Sequence, residues 1–194
     1  TTGWSLEHPT EEIYLVAGPW HEYSRTASGV DVFAFLRDDD SALAQRYLDA
    51  TARYLELYNG MLPPYPYASF ALVENFWETG YGMPGFTLLG PQVIRFPWIL
   101  TSSYPHELLH NWWGNSAFPD YEQGNWCEGL TAYMADHLFA EQRGEGAVHR
   151  RATLKKCRES REGRLNPGVI ANHAVLQRHV EIDTYEDAFA GRFK

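Results

Sequence analysis

Cysteine is scarce in this chain. Two residues, Cys127 and Cys157, stand among 194. That excludes a disulfide scaffold, while a single bridge remains compatible with the count and leaves the redox compartment open. Long hydrophobic runs are lacking too: no apolar stretch approaches the roughly 20 residues that a membrane-spanning helix needs, and mean hydropathy is −0.42. No membrane span is expected. Positive charge is in deficit, with 16 Lys and Arg against 25 Asp and Glu, a formal charge of −9. A pI near 5.3 argues against nucleic acid or an anionic membrane as the main partner. Repeats and low-complexity segments are missing as well. What is present is a hydrophobic fraction of 44% and an aromatic fraction of 15%, enough for a packed core and too much for a disordered chain. Thr1-Thr2-Gly3 carries no initiator Met and no signal peptide, and the chain stops at Phe193-Lys194 without a polar tail. Both ends read as cut, so the remaining domains of a parent chain are expected partners.

The first third of the chain alternates between strand and helix patterns. Residues 13–17 form a short apolar run closed by Gly18-Pro19; 20–24 and 30–36 read as further strands, with Ser28-Gly29 as a turn. Asp38-Asp39-Asp40-Ser41 is a helix-start cluster, because short polar side chains cap free N–H groups and negative charge suits the positive helix end. Leu43, Tyr47, Leu48, Tyr54, Leu55 and Tyr58 then recur at helical spacing over 42–58. The prolines of Pro63-Pro64-Tyr65-Pro66 impose an extended chain, followed by a buried strand at 69–73. Residues 79–91, rich in Gly, predict irregular backbone with a short β run at 86–89, and 93–96 reads as another strand. Helices are expected over the 106–115 region, over 128–140 and over 145–161. A boundary near 36–41 separates β from α+β.

The chemistry concentrates at His106-Glu107-Leu108-Leu109-His110. Residues four apart share one helix face, so both imidazoles can reach one ion. Zn²⁺ lowers the pKa of a bound water to about 7, and a neighbouring carboxylate can take that proton while the water attacks a carbonyl. Glu107 stands in that place. The pentapeptide alone is a modest signal, since the composition of the chain yields about 0.03 matches by chance. A catalytic zinc site usually has a third protein ligand. Trp113 and Ser116 occupy the positions where a downstream Gly and third His would fall, which leaves the carboxylates Asp120, Glu122 and Glu128. Asp120 and Glu122 sit in a loop, whereas Glu128 opens a predicted helix, and a helix positions a ligand more rigidly. A Glu in a first helical turn is also ordinary dipole chemistry.

His106-Glu107-Leu108-Leu109-His110-Asn111-Trp112-Trp113-Gly114-Asn115, followed by Trp126-Cys127-Glu128-Gly129, resembles the zinc site of the aminopeptidase N family. These gluzincins include leukotriene A4 hydrolase and have a thermolysin-like catalytic domain. The resemblance implies His106, His110 and Glu128 as ligands of one Zn²⁺ per chain, Glu107 as general base, and a peptide as substrate. It implies an α+β fold: a partial thermolysin-like metallopeptidase catalytic domain over 37–194, truncated at its C-terminus, preceded over 1–36 by the last strands of a β-sandwich or saddle-like domain. It covers most of residues 10–142. Three departures stand out. Glu128 lies 18 residues after His110, one fewer than is usual in the family. The family's Gly-x-Met-Glu-Asn segment, whose Glu holds the substrate amine, is matched by Gly82-Met83-Pro84-Gly85, with Pro84 in place of the Glu; Glu74 or Glu78 are the candidate substitutes. The oxyanion Tyr followed by Lys-Gly has a poor match in Tyr185-Glu186-Asp187, so the true Tyr is expected beyond Lys194 and the fragment is expected to be a weak catalyst. Pro84 keeps an epoxide- or ester-cleaving relative open as an alternative, alongside a non-catalytic module that retains the fold.

The remaining features have plainer readings. Trp112, Trp113 and Trp126 are expected to pack helices, and Asn115 to orient a ligand histidine or shape a turn. His137 and Cys127 read as structural. Arg150, Arg151, Lys155, Lys156 and Arg158 read as a solvated helix face, with Arg161 and Arg164 as minor candidates for a substrate carboxylate.

Overall fold

A computed structural model describes residues 13–78, 80–120 and 126–161. The chain divides into two compact units, Thr1–Phe118 and Pro119–Lys194. The first is built on one five-stranded sheet of order β1-β2-β3-β5-β4. β1 (His21–Ala27) and β2 (Val30–Leu36) form an antiparallel hairpin with Ala27 opposite Val30. Its two-residue turn places both Ser28 (φ 52°) and Gly29 (φ 77°) in the left-handed region, the geometry whose twist matches paired strands. β2 runs parallel to β3 (Ser69–Glu74), and β3 parallel to β5 (Phe86–Leu89). β4 (Gly80–Met83) turns back antiparallel on β5 and forms one edge of the sheet. The α+β class expected from the sequence is the observed one. The boundary expected after residue 36 falls between β2 and the helix that follows it, inside the first unit.

Helix α1 (Ser41–Asn59) is the crossover that the parallel β2–β3 pair requires. Asp40 caps it, its carboxylate accepting the Leu43 N–H at 2.9 Å. The even positions of β2 (Val30, Val32, Ala34, Leu36) are buried, as are Leu43, Tyr47, Leu48, Leu55 and Tyr58 of α1. This alternation meeting a helical stripe is what both sequence patterns demanded. Burying about nine side chains of this size stabilises by roughly 2 kcal/mol each before entropy is subtracted.

The tyrosines of α1 do more than fill space. Tyr47 donates its hydroxyl to the Ile94 carbonyl at 2.8 Å, Tyr54 donates to the Leu100 carbonyl, and Thr51 shares a hydrogen bond with Tyr104. Burial pushes the Tyr47, Tyr54 and Tyr104 phenols above their ordinary pKa of 10, so all three keep the proton they donate. These bonds pin residues 94–104 to α1, and that segment leads directly into α2 (Ser103–Leu109).

Three strand expectations are corrected. Residues 13–17 form no strand, and Ile13 and Leu15 are almost fully exposed. Residues 93–96 form a 3-10 turn (Val93–Arg95) in place of a strand. The Glu78 carboxylate accepts the N–H groups of Gln92 and Val93, and the Gly90 carbonyl accepts that of Ile94, so no donors are left for a ladder. Conversely, Gly80–Met83 pairs as a strand although its glycines predicted irregular backbone; pairing with β5 overrides a weak local preference.

In the second unit, α3 (Trp126–Ala132) passes through a π-helical turn (Tyr133–His137) into α4 (Leu138–Gln142), and α5 (Gly146–Arg161) follows. Gly144, at φ 77°, allows the reversal between α4 and α5. Arg150 is exposed, as expected of a solvated face, and also donates to His137 Nε2 at 2.6 Å and to Glu141 at 3.1 Å, tying α5 to the preceding helices. Burial, aided by the Arg150 charge, lowers the His137 pKa from 6.5. His137 is thus structural, as its spacing suggested.

Candidate metal centre

α2 is shorter than the sequence predicted. It starts with Pro105 in its first turn, where the missing N–H has no helical partner to lose, and it ends at Leu109 where continuation to 115 was expected. Two local causes stop it. The buried Asn111 side chain donates to the Leu108 carbonyl at 2.9 Å, competing with the helical ladder. Gly114 then adopts φ 96°, and a compact reversal forms in which Asn115 N–H returns to the His110 carbonyl at 2.9 Å. His110 is the C-cap, with its N–H directed to the His106 carbonyl, so the four-residue spacing survives. The two imidazole rings lie 4.9 Å apart at 75°. His106, Glu107 and His110 are half-buried, between a dry core and open water.

The reversal is braced by aromatic residues. Tyr67 donates to the Asn115 carbonyl at 2.5 Å, and Trp112 donates to the Pro63 carbonyl at 2.7 Å while standing edge-on to Tyr58 and Tyr65. Trp112 and Trp113 are buried, in keeping with packing roles, whereas Trp126 is half exposed. Asn115 serves the turn through its backbone; its Nδ2 is buried without a partner among the described residues.

The substrate segment expected from the sequence lies on the first unit's edge strand. Gly82 and Met83 end β4, and Pro84-Gly85 form the turn into β5, with Gly85 at φ 79°. β4 packs on α2. A Cβ added at Gly82 would stand 2.9 Å from Glu107 Oε2, 3.2 Å from the Glu107 carbonyl and 3.4 Å from His110 Cβ; one added at Gly80 would stand 3.9 Å from Glu107 Oε1. Glycine at 82 thus permits a close approach, and a larger residue there would displace the Glu107 carboxylate and press on its backbone. Gly82→Ala should push β4 off α2 and lower kcat about tenfold, a fraction of the hundredfold cost of an ångström-scale misplacement, with metal content unchanged; steady-state kinetics beside elemental analysis checks it.

Neither proposed stand-in for the family's amine-binding Glu is uncommitted. Glu74, only 2% exposed, accepts Arg95 at 2.5 Å and the Arg37 N–H at 2.8 Å. Glu78 caps the 92–93 turn as described above.

In the second unit Glu128 lies in the first turn of α3, half-buried, beside the buried Cys127. Burial first, then the Glu128 charge, pushes the Cys127 thiol up to about 12. Asp120 is exposed, and Glu122, Arg164 and Tyr185 lie outside the described residues. His106, His110 and Glu128 are a candidate metal-binding group. Two imidazoles and a carboxylate form a donor set that fits zinc.

No family model matches the chain, and no curated protein does. Solved structures do. The M1 zinc metallopeptidase from Deinococcus radiodurans aligns with a TM-score of 0.53 and 20% identity over 74% of this chain. The fold resembles part of an M1 zinc metallopeptidase. A point mutant of the same Deinococcus radiodurans enzyme aligns equally well, with 19% identity over 74% of this chain. The chain spans 33% of the length of each of these structures. Sequence reasoning missed two features of the site: the glycine alternation at 80 and 82, legible as a period-2 pattern facing one way, and Asn111, a polar residue set inside an otherwise apolar stretch.

Proposed function

We propose that this chain is the metal-binding part of a zinc-dependent hydrolase that cleaves peptide bonds. The observation that carries the reading is Glu107 held between two histidines on α2, with its carboxylate against the side-chain-free face of an edge strand. His106 and His110 would hold one Zn²⁺ with Glu128 as the third ligand. Bound zinc would supply Lewis-acid activation of water and carbonyl. Glu107 takes the proton of the attacking water and delivers it to the leaving amine. The resemblance in fold to part of an M1 zinc metallopeptidase supports this reading, as does the donor set.

Gly82, Met83, Pro84 and Gly85 would line the substrate. Because Pro84 offers no carboxylate and Glu74 and Glu78 are engaged, a second reading is a hydrolase whose substrate lacks a free amine, such as a blocked peptide, an ester or an epoxide. A panel on the full-length protein tests both. It contains an aminoacyl-aminocoumarin, its N-acylated counterpart, an ester and an epoxide, each with chelator and with zinc restored. Zinc-dependent cleavage of the free-amine amide supports an aminopeptidase. Cleavage of the acylated amide alone supports a peptidase indifferent to the amine, and hydrolysis of neither amide sinks the peptidase reading.

A further inference from the structure

The geometry points to Asn111 as the residue that positions the β4–β5 hairpin over Glu107, an inference that rests on the function proposed above. Asn111 is fully buried, where an amide whose ends lack partners is costly. Both ends have partners. Oδ1 accepts the Gly85 N–H at 2.8 Å, and Nδ2 donates to the Leu108 carbonyl at 2.9 Å. The first bond reaches the hairpin apex; the second joins the Asn111 backbone N–H, at 3.2 Å, on the Leu108 carbonyl at the end of α2.

One side chain therefore joins the helix that carries His106, Glu107 and His110 to the turn of the strand that faces Glu107. Gly85 is held from its other side as well, its carbonyl accepting the Ala71 N–H of β3 at 2.9 Å. From Gly85 the chain runs back through Pro84 and Met83 to Gly82, where an added methyl group would stand 2.9 Å from Glu107 Oε2 and displace that carboxylate. Asn111 sets that clearance. Its amide has the two complementary functions that the bridge needs, an acceptor toward the hairpin and a donor toward the helix, while Ala or Leu has neither. It touches neither substrate nor metal in this role and is a positioning residue.

The test uses the full-length protein and two variants, Asn111→Ala and the shape-conserving Asn111→Leu, which separates loss of the hydrogen bonds from loss of volume. The expected result for both is faster hydrogen exchange of the Gly85 amide, zinc retained at one per chain, KM within about threefold of wild type and kcat lowered ten- to a hundredfold. If Asn111→Ala fails to fold, Asn111→Leu carries the test alone. Wild-type exchange at Gly85 in Asn111→Leu overturns the assignment, and so does loss of zinc in step with activity, which would make Asn111 a support of α2 itself. Gly85 exchange is read without substrate. A wild-type protein that cleaves no peptide therefore removes the proposed function and leaves the hairpin bridge to stand or fall separately.

Discussion

Glu107→Gln is expected to lower kcat by about 10²–10⁴-fold, the range that a positioned general base contributes, while zinc stays bound at one per chain. Gln keeps the shape of Glu and its place against Gly82, so β4 need not move. What it loses is the capacity to accept and return a proton. Single-turnover kinetics of the full-length protein, with metal content measured on the same preparation, separates the chemistry from metal loss. Activity within tenfold of wild type at full zinc occupancy would remove Glu107 from the mechanism.

His110→Ala should abolish stoichiometric zinc binding. A hydrogen-bond partner behind a ligand already costs 10–100-fold in metal affinity when removed; removal of a direct donor from a three-donor set should cost more than about a hundredfold. His110 suits this test because its backbone closes α2, with N–H to the His106 carbonyl and carbonyl to the Asn115 N–H, and Ala preserves both bonds. Competition with a zinc-sensitive dye and elemental analysis after dialysis read the result. Equal zinc in variant and wild type would sink the site. A variant that loses zinc and retains its thermal unfolding profile at low metal would show that His110 acts on the ion and leaves the fold intact.

The core was legible because its periodicities were strong. The stripe from Leu43 to Tyr58 had a helical repeat, and Val30, Val32, Ala34 and Leu36 alternated. Both patterns report which face of an element is buried, and a single chain suffices to read them. The edges of elements were harder. Residues 106–115 looked helical throughout, yet the Asn111 side chain and the left-handed Gly114 end α2 at Leu109. Residues 93–96 looked like a strand, yet Glu78, fourteen positions upstream of Gln92, takes the N–H groups a strand would need. The first competition is local, but the second comes from a polar group far along the chain and leaves no local mark.

The sequence by itself determined the donor chemistry. Two imidazole donors at 106 and 110, with the Glu107 carboxylate beside them as candidate base, follow from spacing, because four residues along a helix return a side chain to the same face. The α+β class was determined in the same way. Only the tertiary structure decided what meets that face. It brought β4 to the sheet edge against α2, set Gly82 close against Glu107, committed Glu74 to Arg95, and threaded the Asn111 amide between hairpin and helix. The physical reason is range. Periodicity and capping act within a few residues along the chain, while a hydrogen bond of 2.8 Å between Gly85 and Asn111 joins positions 26 residues apart, and nothing in either residue's neighbours announces the other.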